Sequence, residues 1–398
     1  FTLAGLVMMD ICNNGQGTEK SDICGVEKML SKKRVVVGLS GGVDSALAAY
    51  LLKQQGYEVI GVTMATWDGS IKNMPHVEGR EGCFGPGEVQ TIAQAKSVAN
   101  RLGIPHYVAS VSEAYKSQVL DYFRAEYRAG RTPNPCVRCN QNVKFGALLA
   151  ATRRMGVDFD YFATGHYARL DFKDSKQPFL YAALDDSKDQ TYFLSRLTLE
   201  QLSSVIFPLG GMKKTDVRAL AAEIGWVDFA TKKESQDFLE CGDYTVLFDE
   251  SDNKPGDFVD MNGKVLGRHR GVIHYTIGQR KGLNIGGLPE PYFVVNIDVQ
   301  KNQVVLGPLS VMNCVDVDAE ELNLMVDEDS PLLQQPLTAH IRLGHKGALA
   351  RITALDVAAG KISVHFDEPQ FASAPGQILV LYADQGIVAS GIIAPRNS

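Results

Sequence analysis

The reactive chemistry of this sequence is concentrated in its thiols, one glycine-rich turn and a few basic side chains. Cys136 and Cys139 form a Cys-x-x-Cys within Gly130-Arg131-Thr132-Pro133-Asn134-Pro135-Cys136-Val137-Arg138-Cys139-Asn140. Two prolines stiffen the backbone ahead of the thiols. Arg131, Arg138 and Lys144 lie close in sequence, a setting expected to lower a thiol pKa and favour thiolate. Taken alone, the spacing suits half a zinc site, a redox pair, part of an iron–sulfur site, or a nucleophile with a neighbour. Zinc is the weakest of these, because no second Cys-x-x-Cys or His pair follows.

The second feature is Gly38-Leu39-Ser40-Gly41-Gly42-Val43-Asp44-Ser45. Adjacent glycines let the backbone approach an anion, and a helix starting there supplies unpaired N–H groups. Ser40 and Ser45 offer hydroxyls, and Asp44 offers a carboxylate for magnesium beside a pyrophosphate. The Gly-Lys-Ser/Thr ending of a Walker loop is missing, as is the GxGxxG of a dinucleotide fold. The turn resembles the pyrophosphate loop of enzymes that split ATP between its α- and β-phosphates.

The elements that must hold these groups alternate. Arg34–Leu39 reads as a buried strand, Ser45–Gln54 as a helix and Glu58–Met64 as a strand. Glu88–Leu102 then reads as a helix, His106–Ala109 as a strand, Lys144–Met155 as a helix and Tyr161–Thr164 as a strand. Such alternation predicts an α/β domain with a doubly wound parallel sheet. From Pro255 onward short extended runs dominate, with a hairpin signature at Asn262-Gly263. Leu337–Leu343, Ala348–Leu355, Lys361–Phe366 and Gln377–Leu381 read as strands of a small all-β barrel. The expected division is a tail over 1–30, a catalytic domain over 31–240, a central domain over 241–307 and a C-terminal β-barrel over 308–398.

A chain of 398 residues exceeds what one core organises. With 45% hydrophobic and 22% charged residues it is neither disordered nor fibrous. A net charge of −6 argues against nonspecific coating of nucleic acid, while leaving room for a local basic face. No apolar run approaches membrane-spanning length. Seven cysteines without framework spacing suit a reducing, cytoplasmic setting. Leu3–Met9, followed by Asp10 and preceded by no basic residue, fails as a secretory signal.

Further motifs occur in order: Ala163-Thr164-Gly165-His166-Tyr167, Lys188-Asp189-Gln190-Thr191-Tyr192-Phe193-Leu194, Phe207-Pro208-Leu209-Gly210 and Lys232-Lys233-Glu234-Ser235-Gln236. His274 to Leu283 (HYTIGQRKGL) and Ala374-Pro375-Gly376-Gln377 complete the set. Together with the two features above, they resemble the bacterial tRNA-specific 2-thiouridylase family from about Lys33 to about Pro395. The resemblance implies a three-domain enzyme of the ATP pyrophosphatase type. Its ATP, with Mg2+, adenylates the C2 oxygen of the wobble uridine (position 34) of Lys, Glu and Gln tRNAs and releases pyrophosphate. A cysteine persulfide, loaded by a sulfur-donor protein, then replaces AMP with sulfur.

Carried over by position, Gly38, Leu39, Ser40, Gly41, Gly42, Val43, Asp44, Ser45, Met64 and Gly165 would contact ATP. Asn134, Pro135 and Cys136 would lie against the extruded target base. His166, Lys188, Asp189, Gln190, Arg342, Leu343 and Gln377 would contact tRNA, and Cys139 falls at the family's nucleophile. Two positions depart from the pattern. Cys136 stands where the family often has Asp, and Leu239 aligns with the usual persulfide cysteine, two residues before Cys241. Two mechanisms follow. In one, a Cys241 persulfide closes a disulfide with Cys139 as sulfur leaves. In the other, Cys136, Cys139 and Cys241 hold a [4Fe–4S] cluster. Cys12, Cys24, Cys83 and Cys314 are set aside as bystanders. The competing readings are an ATP-dependent amidotransferase or ligase, such as the GMP, NAD or argininosuccinate synthetases, and a tRNA- and ATP-binding paralogue that no longer thiolates.

Overall fold

Val35, Val36 and Val37 have no exposed surface, because the strand they form is covered on both faces. The computed structural model describes residues 32–71, 74–77, 82–172, 177–230, 237–288 and 290–395. The expected tail, Cys12, Cys24 and the Lys232–Gln236 motif lie outside the described residues.

The central sheet is parallel. It contains β1 (Arg34–Gly38), β2 (Glu58–Ala65), β4 (His106–Ser110), β5 (Tyr161–Ala163) and β8 (Val205–Ile206), in the order β4-β2-β1-β5-β8. Val35 pairs with Val59 on one side and Tyr161 on the other. Chain order reverses direction across β1 and β5, so a crevice opens beyond their C-terminal ends, the usual ligand position in such sheets. On one face Val35 and Val37 pack with Leu47 and Leu52 of helix α1 (Val43–Gln54). On the other, Val36 and Phe162 pack with Leu148 and Val143. Alternating side chains thus bind a helical layer to each face, as expected of a doubly wound fold.

The expected helix over 144–155 is corrected in one respect. Asn140–Ala147 is π-helical and only Leu148–Arg154 is regular α-helix. Bonds from i to i+5 bring residues five apart toward one face. Lys144 thereby turns toward the side of Cys139, which ends the short helix Pro135–Cys139.

A two-stranded parallel sheet joins β3 (Gly82–Phe84) to β9 (Asp237–Leu239), with Phe84 opposite Leu239. A four-stranded sheet follows, ordered Val265–His269, Gly256–Asp260, Gln303–Pro308, Tyr292–Asp298. Its first hairpin turns through Gly263 at φ +83°, where the Asn-Gly signature placed it. The last sheet closes on itself: Asn313–Leu324 pairs with both Lys361–Phe371 and Gly386–Ile393. A hairpin of β6 (Arg169–Asp171) and β7 (Phe179–Tyr181) reaches it through the Tyr181–Gly386 pair. Among the described residues, no helix is long and apolar enough to cross a membrane.

Candidate active site

Backbone shape makes the glycine turn. Gly41 takes φ +71°, and a Cβ there would sit 2.8 Å from the Gln94 side chain. Ser40 N donates to Ser45 Oγ at 3.2 Å, and Ser45 Oγ donates to the Gly42 carbonyl at 3.1 Å. The Ser45 hydroxyl, offered to an anion on sequence grounds, therefore also folds the turn. Leu39 and Val43 are buried beneath it, and Met64 is half-buried at the end of β2. Helix α1 has no side-chain cap, so its first N–H groups face the crevice uncapped. A Cβ on Gly165 would lie 2.6 Å from the Asp44 carbonyl carbon and 2.7 Å from Ser45 N. Only glycine lets the segment after β5 press against the start of α1 and bring His166 beside it.

Asp44 is met by a buried cation. Lys214 Nζ donates to both of its carboxylate oxygens at 2.7 Å, and Tyr167 OH donates to Oδ1 at 2.8 Å. Lys214 is only 6% exposed. A magnesium ion bound directly to Asp44 would meet this buried ammonium, so these residues do not fit the ion there. Lys214 was missed by the sequence reading; its only signal is the Lys213-Lys214 pair after the Phe207–Gly210 motif.

Cys139 is 5% exposed and belongs to the core. Burial pushes its thiol up to about 12; Lys144 pulls it down, while Cys83 and Cys136 push it further up. The expectation that nearby cations favour thiolate is thus corrected: burial wins. Two of those cations are also committed elsewhere. Arg131 Nε donates to Glu126 at 2.7 Å, and Arg138 pairs with Glu321 at 3.1 Å beneath the Tyr122 ring. Burial works against the charge of Lys144, but Cys83, Cys139 and Cys136 outweigh it and hold the amine above its ordinary value. Asn134 caps the thiol helix by accepting from Val137 N at 3.1 Å, with Pro135 in the first turn.

Cys83, set aside on sequence grounds, stands within electrostatic reach of Cys139, Lys144 and Tyr115. Cys241 is half-buried, and its Sγ donates to the Asp243 carbonyl at 3.4 Å. Cys241 also packs against the core cluster that holds Cys139 and Tyr115, so Cys83 and Cys241 both border that core. Among the described residues, no three or more His, Cys, Asp or Glu side chains converge to hold a metal ion. Cys136, Cys139 and Cys241 accordingly do not fit an iron–sulfur cluster.

Residues 33–241 match a family model described as tRNA methyl transferase HUP domain. Residues 245–308 match a tRNA methyl transferase PRC-barrel domain and 316–393 an aminomethyltransferase beta-barrel domain. The tRNA-specific 2-thiouridylase MnmA of Endomicrobium trichonymphae is 44% identical, over 92% of this chain and 100% of that protein. The proteins of the same name from Acetivibrio thermocellus and Carboxydothermus hydrogenoformans are each 42% identical over 92% of this chain, covering 100% and 99% of their own lengths. This chain belongs to the tRNA-specific 2-thiouridylase family.

In this family member the residues implied for tRNA contact divide into inward and outward groups. Asp189 accepts from Ala183 N at 2.8 Å and Thr191 Oγ1 at 2.6 Å, and burial pushes its carboxyl up. Gln190 Oε1 accepts from Tyr167 N at 2.9 Å, which steadies the tyrosine that holds Asp44. His166 packs near Phe145 and Phe207, with Nδ1 2.7 Å from Thr164 Oγ1. Burial, aided by Lys144, brings its pKa down to about 3, so it is neutral. Gln377 Nε2 donates to Thr132 O at 2.8 Å, and Thr132 N donates to Pro375 O at 2.7 Å. The barrel thus clamps the segment that leads to Cys136. Arg342 Nη1 donates to Phe371 O at 2.8 Å, Lys188 is half-buried, and Leu343 is exposed.

Proposed function

We propose that this chain converts the C2 oxygen of the wobble uridine of tRNA to sulfur, consuming ATP and yielding 2-thiouridine, AMP and pyrophosphate. One observation carries the reading. Phe145, from the π-helical turn that follows Cys139, packs on His166 with ring centroids 6.0 Å apart, and His166 adjoins the glycine turn through Gly165. A thiol and a phosphate cradle thus share one site, as a reaction needs when it first activates an oxygen with ATP and then displaces it with sulfur.

The turn and the N-terminus of α1 receive the pyrophosphate as it leaves, with backbone N–H groups aimed at the growing charge. ATP enters as its magnesium complex. Lys214, already paired with Asp44, offers an ammonium next to the same turn. Asn134, Pro135 and Cys136 border the base, which must leave its stack to be reached. Neutral His166 and the half-buried Lys144 line the passage between nucleotide and thiol. Outward Lys188, Arg342 and Leu343, with the exposed Lys346 on the same barrel loop, meet the tRNA, while Asp189, Gln190 and Gln377 act by holding neighbours in place. The five-stranded parallel sheet, the four-stranded sheet and the closed sheet anchor the catalytic, central and barrel domains, with junctions near residues 240 and 308. A persulfide-bearing protein supplies the sulfur.

The paired-thiol chemistry disfavours an amidotransferase or ligase, whose acceptor is an amine. The test is incubation of the full chain with ATP, an unmodified tRNA for Lys, Glu or Gln and a persulfide donor, followed by nucleoside mass spectrometry. The expected product is 2-thiouridine, formed in step with AMP. Pyrophosphate release without 2-thiouridine would instead leave the non-thiolating paralogue.

A further inference from the structure

Tyr115 is 1% exposed, yet its buried hydroxyl has no hydrogen-bond partner among the described residues. Such a group is rare, because a buried donor without an acceptor forfeits its solvation. The groups whose charge bears on this hydroxyl are Cys139, Cys83 and Cys136, followed by Glu88. The phenol is fixed from one side by Phe84, whose ring stacks on it at 5.3 Å and 8°. Phe84 is the next residue after Cys83 in β3, and the Cys83 carbonyl accepts from Thr66 Oγ1 at 3.0 Å. Strand, ring and phenol therefore pack as one unit, which brings Cys83 to the pocket from a segment more than fifty residues before Cys139 in the chain.

The two thiols differ in access. Cys83 is half-buried and Cys139 nearly closed off. A donor protein can load the more open thiol, while the enclosed one is suited to attack from within. Lys144 adds a cation to the same pocket.

We infer that Cys83 carries the sulfur and Cys139 releases it, with the Tyr115 hydroxyl donating to the sulfur anion that passes between them. This rests on the function proposed above. An external persulfide transfers its outer sulfur to Cys83, giving Cys83–S–SH and the donor's thiol. The outer sulfur, as its anion, attacks C2 of the adenylated uridine, and AMP departs with the electron pair of the C2–O bond. The Cys139 thiolate, its proton lost to solvent, then attacks Sγ of Cys83. The S–S bond breaks, its electron pair stays on the sulfur now bound to C2, and a Cys83–Cys139 disulfide remains. Two thiols are thereby oxidised while the transferred sulfur is reduced, and an external dithiol must reopen the disulfide before the next turnover.

The deciding experiment is a single turnover of the full wild-type chain with tRNA, ATP and glutathione persulfide, without reductant. It is quenched with iodoacetamide and mapped by non-reducing peptide mass spectrometry. A Cys83–Cys139 disulfide formed in proportion to 2-thiouridine is the expected result. Cys139 bonded to Cys241 or Cys136, or 2-thiouridine without a disulfide, would overturn the assignment while leaving the proposed function standing. No 2-thiouridine from the wild type would overturn the function and this inference together. In the second arm, Cys83→Ser should lower persulfide-dependent thiolation at least tenfold or so while tRNA-dependent pyrophosphate release stays within about twofold. Thiolation at the wild-type rate in that variant would overturn the inference; Cys314→Ser, on the barrel, serves as the control that loses neither.

Discussion

The nucleotide turn and the thiol pocket are about equally central to the site, yet the chain specifies them in different ways. The turn is eight consecutive residues whose backbone does the binding, and Gly41 and Gly165 act by lacking a side chain. The pocket is assembled from Cys83 on β3, Tyr115 from a core helix, and Cys136, Cys139 and Lys144 around a π-helical turn. In the turn, the thing to be bound is an anion and solvent-facing N–H groups suffice. In the pocket the Cys139 thiol is buried, and burial sets its protonation more strongly than any neighbouring charge.

The largest effect expected is at the pocket. Cys139→Ser should reduce 2-thiouridine formation by on the order of a thousandfold, because no other group can replace the attacking sulfur. Pyrophosphate release should persist, since the turn is separate. If both activities fell together in this variant, the two regions would be acting as one unit and the contrast would fail.

Next comes Asp44. Asp44→Ala leaves Lys214 buried without its carboxylate, and breaking such a pair is costlier than never having made it. Pyrophosphate release should fall about a hundredfold, the scale for losing one electrostatic element of a site. Alkylation of Cys139 should be unchanged. The double variant Asp44→Asn/Lys214→Met should melt closer to wild type than Asp44→Ala, as read by thermal unfolding, because it removes both charges.

The pocket's electrostatics can be sharpened with pH. Cys139 is held protonated in the folded protein, up to about 12, mainly by burial. The thiolate is the form that reacts, so iodoacetamide labelling of Cys139 should still be rising between pH 9 and pH 10.5, where an ordinary thiol near 8.5 has levelled off. Lys144→Met removes the cation that pulls the thiol down. The labelling rate in that variant should be about three- to tenfold lower at pH 9, measured by mass spectrometry of the Cys139 peptide. A labelling curve that levels off near pH 8.5 would mean that the pocket is open to water.

The same contrast explains what was legible in the sequence. The parallel sheet, the Asn262-Gly263 hairpin and the barrel strands all announce themselves through local periodicity and turn residues. So does the nucleotide turn, because its function lies in contiguous backbone. Cys83 gave no such signal. Its position depends on the pairing of β3 with β9, two three-residue strands more than 150 residues apart. Nor could the sequence show that Asp44 is met by Lys214, that Arg131 and Arg138 are spent on Glu126 and Glu321, or that a π-helical turn swings Lys144 toward Cys139. Each is a long-range pairing, or a burial, that spacing alone does not encode.

The smallest effect expected lies where the barrel meets the pocket, and it separates a positioning role for Gln377 from direct tRNA contact. Its amide donates to Thr132 O, within the segment whose Asn134 caps the thiol helix. Gln377→Ala removes one half-buried hydrogen bond, worth about 1 kcal/mol. The loss should loosen Thr132 and so misplace Cys136 and Cys139 relative to the base, lowering kcat for thiolation about two- to fivefold while KM for tRNA is unchanged. Gly376 supports the same contact more rigidly: it takes φ +89°, and a Cβ there would lie 3.0 Å from Thr132 N. Gly376→Ala therefore adds backbone strain to the same displacement and should exceed Gln377→Ala in its effect on kcat. Were Gln377 a tRNA contact, the opposite split would appear. KM would rise and its salt dependence would be unaltered, because a neutral amide releases no counterions.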